Sequence, residues 1–531
     1  MKKVIPNALL AGLILLLGIG LVPSLGKLGI VLFNDLSVID ESFTGYNIRA
    51  CINTLTIGIA VSVVSTILGF IVAYAITATH ALGRNYLKAL FLAPLFAPSI
   101  MPAIGLIYLV GSNGLILNLE LYGALGVFLG GLIFALPHAT LQILVNLKTL
   151  DTRLLDAART LGADSTRRFL TIIVPHCHRG LLNAFLITFV LTITDFGVPK
   201  LLGGSFPVLA TEIYAQAIGS QNFAIAAFLS VWLLVPALIA FYFTTKLKNT
   251  DQHQSGSVFQ IRPNIFRDRI FTGLAWFIVG CEIFTIAIVI YGSFVTFWPY
   301  QTALTLDNYT FKNSTYGISP WIHSLELAFG VALIGTVLSF LGAYLTQRMT
   351  NVCPILKKAY QALTTLPLCI PGTVLGLGFA LSLSSFAIFK GPIGSILFLV
   401  FNTLIHLYTV AHLTASNTLS QINPQYEVVG QSLGINRLTT VNRVVLPLSK
   451  SGLCEIFCYL FASAITTISA VVFLYTPHSI VAAVAAIDMI DSGFISAGAA
   501  MSSLIFVSAL AVRLFALKVF DILPSLIHVI K

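Results

Sequence analysis

Twelve stretches of this chain are apolar for long enough to cross a bilayer, and that fixes the class of fold before any motif is read. A helix needs about 17–25 residues to span the hydrocarbon. Runs of that kind can be drawn near 5–26, 51–79, 88–111, 123–147, 181–203, 223–245, 269–297, 322–347, 360–388, 393–416, 452–476 and 495–512. Only 9% of the 531 residues are charged, against roughly 25% in a soluble domain. In lipid the backbone must satisfy its own hydrogen bonds, so spans of this composition are helices. The expectation is an all-α polytopic membrane protein with about twelve transmembrane helices.

The net charge of +10 could suggest nucleic acid, but the placement of the 29 Lys and Arg residues excludes it. With the spans alternating from a cytoplasmic N-terminus, 24 of the 29 fall inside and only Lys27, Arg49, Lys200, Lys312 and Lys390 fall outside. That is the positive-inside pattern of a multi-pass protein whose two termini are cytoplasmic. Lys2 and Lys3 precede the first apolar run with no convincing small-residue cleavage site after it, so that run reads as an uncleaved span. The seven cysteines are scattered, mostly within spans and without a CxxC pair, and read as small apolar residues.

The chain is written twice. Asp151, Gly162, Asp164 and Pro175 recur 272 positions later as Asn423, Gly434, Asn436 and Pro447. Ala73-Tyr74 recurs at Ala343-Tyr344, and the Pro94/Pro98 pair at Pro367/Pro371. An even number of spans separates the copies, so the halves share one orientation, with a pseudo-two-fold axis along the membrane normal and a pathway between them. Each half is expected to supply one leading helix and five core helices. The expected order is a first helix and outer loop (1–48), a first core domain (49–246), a polar, basic cytoplasmic linker (247–268), a second leading helix and outer loop (269–321), a second core domain (322–518) and a C-terminal tail (519–531). The outer segment 298–321 is the longest external loop, either a partner contact or a lid resting on helix ends.

The repeated loop has a readable geometry. Asp151 caps a short helix, Leu154, Leu155, Ala158 and Leu161 fall on one face of it, and Gly162 ends it where positive φ is often needed. The second copy opens on Asn423-Pro424 and lines up Tyr426, Val429 and Leu433. One such helix could simply seal the membrane surface. Two at matched spacing read as docking elements.

Asp156-Ala157-Ala158, three residues, Gly162, nine residues and Ile172-Ile173-Val174-Pro175 resemble the EAA loop of type I ABC importer permeases, E-A-A-x3-G-x9-I-x-L-P, with Asp for Glu and Val for Leu. The second copy keeps Gly434 and Val444-Val445-Leu446-Pro447, but has Val428-Val429-Gly430 in place of E-A-A, with Glu427 one position early. The resemblance implies two fused permease halves whose loops are coupling helices seated on two copies of an ABC ATPase subunit, with an extracytoplasmic substrate-binding protein as the other partner. It implies coupling roles for Asp156, Ala157, Ala158, Gly162, Pro175, Glu427, Gly434 and Pro447. The chain has no GxxxxGK[ST] run, so ATP hydrolysis is expected in a separate subunit, with no catalytic residue, cofactor or metal here.

Pro94, Pro98, Pro102, Pro367 and Pro371 lie within apolar spans and free backbone carbonyls there, which is tolerated where a helix lines a cavity. Pro98 and Pro371, with Asp195 and its repeat partner Thr467, are the candidate path residues. Glu282 and Glu326 lie in or at the ends of other spans and read as helix-end or interhelical groups, while Asp488 and Asp491 are expected in the outer loop before the last helix. His176-Cys177-His178 offers metal-ligand types but no third cluster, and reads as solvated.

Thr194 through Gly204, Pro207 through Tyr214 and Thr466 through Pro477 resemble the fused permeases of 2-aminoethylphosphonate uptake. The fused architecture is shared with ferric iron importers, the alternative. A gradient-driven secondary transporter would want paired acids at mid-membrane, and Asp195 opposite Thr467 is not such a pair. An intramembrane enzyme would want convergent nucleophile and base residues, which the dispersed His and acid positions do not offer. The implied location is the bacterial inner membrane.

Overall fold

The computed structural model describes residues 4–34, 42–79, 82–248, 264–312 and 315–529. The expected linker, 247–268, falls mostly outside the described residues.

In chain order the helices are α1 (Val4–Asn34), α2 (Gly45–Ala78), α3 (Arg84–Leu92), α4 (Ile100–Val110), α5 (Ala124–Leu147), α6 (Thr152–Thr160), α7 (Ser165–Arg168), α8 (Val174–Thr194), α9 (Phe223–Lys248) and α10 (Ile265–Ser293). A two-stranded antiparallel hairpin follows, β1 (Val295–Phe297) and β2 (Gln301–Leu304). Then come α11 (Ser319–Gln347), α12 (Pro354–Thr365), α13 (Gly372–Ser382), α14 (Gly391–Ser420), α15 (Gln425–Ser432), α16 (Arg437–Thr440), α17 (Lys450–Ile465), α18 (Ala482–Asp491) and α19 (Ile495–Val529).

Among the described residues nine helices are long and apolar enough to cross a membrane, and three bent pairs raise the number to twelve when each pair is one span. The bends are 107° between Arg84–Phe96 and Ile100–Val110, 111° between Pro354–Cys369 and Gly372–Ser382, and 70° between Arg437–Leu448 and Lys450–Ile465. Proline causes the first two. A proline pushes the residue before it out of the helical region, and Ala97 (ψ 136°) and Ile370 (ψ 117°), just ahead of Pro98 and Pro371, are both extended.

Some ends differ from expectation. α1 runs on to Asn34 and so contains Lys27. The span expected at 181–203 ends at Thr194, where Asp195 accepts the backbone N–H groups of Gly197 (3.4 Å) and Val198 (3.0 Å) and starts a separate short helix, Gly197–Leu202. α17 stops at Ile465 and turns follow it. Asp488 and Asp491 belong to α18 rather than a loop, and Asp491 pairs with Lys200 at 2.9 Å. The last helix continues to Val529, through most of the expected tail.

The chain divides into two compact units that do not follow chain order. One comprises Met1–Leu36, Tyr316–Ala485 and Leu504–Lys531, the other Ser37–Thr315 and Ala486–Ser503. In the first, α11 packs on α14 and α17, with Gly330 facing Val400 and Gly335 facing Leu404 and Leu460. In the second, α2 packs on α5 and α8, with Gly58 facing Phe189 and Ile193 and Gly131 facing Val61. Small residues at these crossings let the helices approach closely.

The leading helices are exchanged. α1, from the first half of the sequence, packs on α12 and α13 of the second, where Asn7 accepts the Cys353 N–H at 2.9 Å and Gly378 lies against the Ser24 backbone. α10 packs on α2, α3 and α4, where Trp276 donates to the Leu82 carbonyl at 3.1 Å and Gly105 lies against Thr285. The apolar period marks a buried stripe on each leading helix; which core covers it is set by surface fit and not by order along the chain.

Candidate functional site

The two loops share one backbone course. Asp151 Oδ1 accepts the Arg153 N–H at 2.9 Å, and Asn423 Oδ1 the Gln425 N–H at 3.0 Å. At the other end of the short helix, Ala163 N–H bonds the Ala158 carbonyl at 3.0 Å, and Ile435 N–H the Gly430 carbonyl at 2.9 Å. This closure requires left-handed backbone at the intervening residue, and Gly162 (φ +79°) and Gly434 (φ +71°) supply it. Asp164 and Asn436 then cap the next helix through the N–H groups of Arg167 (3.0 Å) and Leu438 (3.3 Å).

Pro175 and Pro447, the last matched positions of the repeated loop, do not interrupt the chain's helical course. Each sits in the first turn of a helical segment that continues the chain, behind a single π-turn at Phe169–Ile173 and Val441–Val445. A proline ring clashes with the carbonyl four residues back and offers it no N–H. Widening the turn by one residue relieves the clash, with Val174 donating to Phe169 and Leu446 to Val441 instead.

The short helices present apolar side chains outside any span. Leu154 on α6 and Leu161 just after it are 55% and 87% exposed, and Tyr426 and Val429 on α15 and Leu433 just after it are exposed. Asp156 and Ala157 are exposed and Ala158 half-buried. Leu155 departs from the expected open ridge: it is buried in the apolar cluster that also holds Tyr74.

Glu427 occupies the position of Leu155 in the second copy, and it too is turned inward. Its Oε2 accepts from Tyr344 Oη at 3.2 Å and lies 3.7 Å from Arg437 Nη2. Arg437 Nη2 also donates to the Arg348 carbonyl at 3.1 Å, and the Arg348 guanidinium donates to the carbonyls of Leu419 and Ile422. Where the first loop is held to its core by apolar packing, with Phe169 and Phe271 against Tyr74, the second is held by this network. The recurrence of Tyr74 as Tyr344 was the available sequence signal; Arg348 and Arg437 carried none.

The helix breaks of the two units fall at two of the expected path residues. Pro98 and Pro371 are buried at the two bends. Beside the first, the Ser99 hydroxyl bonds the Asp195 carboxyl; beside the second, Gly372 approaches Ser469 and Ala470 so closely that a Cβ would lie 2.4 Å from Ser469 Oγ. Asp195 directly follows α8 and Thr467 lies two residues past α17, their N–H groups bonding the carbonyls of Thr192 and Ala464 at 3.4 and 3.3 Å. His176 meets Thr149 at 3.3 Å and His178 the Pro175 carbonyl at 2.6 Å, while Cys177 between them is buried.

Residues 65–248 match the family model of the binding-protein-dependent transport system inner membrane component. The Inner membrane ABC transporter permease protein YdcU of Escherichia coli (strain K12) is 30% identical over 252 residues, 40% of this chain and 80% of that protein. The chain belongs to this permease family. Two further relatives run along both halves: the Ferric transport system permease protein FbpB of Actinobacillus pleuropneumoniae, 28% identical over 89% of this chain and 71% of its own length, and the Putative ferric transport system permease protein FbpB 1 of Haemophilus influenzae (strain ATCC 51907 / DSM 11121 / KW20 / Rd), 27% identical over 81% and 71%. The permease is thus an inner-membrane, multi-pass transport component and not the catalytic subunit, and its family works with a binding protein and an ATPase.

Proposed function

We propose that this permease carries both transmembrane halves of an ATP-driven importer, and that Asp151–Pro175 and Asn423–Pro447 are its two cytoplasmic coupling loops. One observation carries the reading: two loops with the same caps, the same left-handed glycine and the same π-turn, each offering exposed apolar side chains outside the spans. A short rigid helix seated in each of two ATPase subunits passes their displacement to the bundle and shifts it between inward-open and outward-open states. Asp156, Ala157, Gly162, Gly434, Leu161 and Leu433 form the docking faces, and Glu427 acts from behind the second one, through Tyr344. The helix breaks at Pro98 and Pro371, with Asp195 and Thr467, line the path.

For the solute we favour ferric iron. The sequence runs around Thr194 and Thr466 favoured 2-aminoethylphosphonate, but the two relatives that follow this chain over most of its length are named for ferric transport. The test is uptake of labelled ferric iron and labelled 2-aminoethylphosphonate by cells lacking the gene, restored with the wild type or with a Gly162→Val/Gly434→Val double variant. Rescue of iron uptake by the wild type alone supports both solute and coupling. Rescue of phosphonate uptake alone moves the solute to the other class, and rescue by the double variant removes the coupling role.

A further inference from the structure

Hydroxyl groups within the spans of this protein are, as a rule, returned to their own helix. Ser24, Thr54, Ser62, Thr140, Thr188 and Ser230 each donate to the carbonyl four residues earlier at 2.6–2.9 Å, which satisfies the group where water is absent. On α14, Thr414 and Thr418 do the same.

Ser65, Thr66 and Ser503 are scattered exceptions, and one face of α14 gathers several. Thr403 and Thr409, 0% and 2% exposed, leave their hydroxyls without a partner, as do Oδ1 of Asn402 and Nδ1 of His406. At 3.6 residues per turn these four positions share an arc of about 120° and extend about 10 Å along the axis. Their neighbours identify the surroundings: Asn402 Nδ2 donates to the Ala470 carbonyl at 2.9 Å, and that carbonyl lies against Gly376 of α13. A fifth buried unpartnered group, the Thr373 hydroxyl, stands two residues past the break at Pro371. The stripe therefore meets the broken helix and the turns after α17. In the first half the corresponding positions, 272 earlier, are Gly130, Gly131, Phe134 and Pro137, without a side-chain donor or acceptor among them.

Unpaired polar atoms in a membrane interior are costly, and a cluster of buried ones calls for an explanation. We propose that Asn402, Thr403, His406 and Thr409, with Thr373, form a one-sided binding track for the transported solute, open to water in another state of the cycle. The ligand class follows from the atoms. Hydroxyl, amide and imidazole groups, with no carboxylate or thiolate among the five, exchange hydrogen bonds with the oxygen shell of a hydrated or chelated metal cation without capturing the metal; a path needs sites weak enough to leave. This deepens the ferric reading above and rests on it for the identity of the solute.

The test uses the full permease assembled with its ATPase and binding protein in membrane vesicles. Thr403→Cys and Thr409→Cys, close to isosteric, are exposed to a charged methanethiosulfonate and modification at each site is followed by mass spectrometry, so the native cysteines do not interfere. The expected result is at least a tenfold difference in rate between the resting and vanadate-trapped states, with protection by ferric iron. Unreactive cysteines in both states, in vesicles that still import, would overturn the track. Independently, Thr403→Val/Thr409→Val should lower uptake at least tenfold while ATP hydrolysis persists; unchanged uptake would also overturn it. Protection by 2-aminoethylphosphonate instead of iron would retain the track and refute the metal-cation class. If the wild type imports neither solute, the ferric reading fails, and state-dependent labelling still decides the track.

Discussion

Tyr344 donates its phenolic hydrogen to Glu427 at 3.2 Å, and in the other half of the molecule the matching residues, Tyr74 and Leu155, share an apolar cluster. One geometry, a short helix held to the end of a long one, is thus fastened in two physically different ways. Apolar packing tolerates small shifts, whereas a buried carboxylate between a phenol and a guanidinium leaves costly unpaired groups if any member moves.

Removing the carboxylate should therefore cost more than its burial area suggests. Glu427→Ala leaves Tyr344 and Arg437 without their shared acceptor, and about 1–3 kcal/mol of stability is expected to go, with a several-fold loss of uptake. Glu427→Gln keeps an acceptor for the phenol and should retain most of both. Thermal unfolding of the purified protein and uptake in cells read the two effects; equal behaviour of the two variants would remove the network from coupling.

At Gly162 and Gly434 a Cβ would meet nothing within 4 Å, so any penalty there is conformational and not steric. A left-handed backbone costs a residue with a side chain about 1–2 kcal/mol, and valine more than asparagine, which tolerates that region. Gly162→Val and Gly434→Val should leave the protein in the membrane but reduce uptake more than tenfold, with the asparagine variants in between. Comparison of membrane content with uptake across the four variants checks the order.

Leu161 and Leu433 are exposed enough that the fold does not need them. Leu161→Glu and Leu433→Glu should change stability by no more than about 0.5 kcal/mol, the usual range for surface substitutions. They should abolish co-purification of the ATPase. Retention of the ATPase by the double variant would mean that the ridges do not dock.

The exchanged leading helices predict a contrast between glycines. A Cβ at Gly378 would lie 2.7 Å from the Ser24 carbonyl oxygen, and one at Gly105 2.6 Å from the Thr285 carbonyl oxygen, whereas one at Gly12 meets nothing within 4 Å. Gly378→Ala and Gly105→Ala should each destabilise by about 1–3 kcal/mol through overpacking. Gly12→Ala should be neutral or stabilise by up to about 1 kcal/mol through helix propensity. Melting temperatures of the three in detergent decide it.

What the sequence determined by itself is what local chemistry controls. Apolar length set the spans; Asp151, Asp164, Asn423 and Asn436 capped the helices they precede; Gly162 and Gly434 took up positive φ; Pro98 and Pro371 broke the spans they interrupt. Each of these effects acts over a few residues, so a linear reading finds it. Only the tertiary structure decided that α1 and α10 cover each other's sequence halves, that Glu427 turns inward to Tyr344, and that four polar residues of α14 each bring an unpartnered side-chain atom to one buried face. Those outcomes depend on which surfaces fit across hundreds of residues and on which side of a helix a group falls once its neighbours are packed. No cap, breaker or apolar period encodes that.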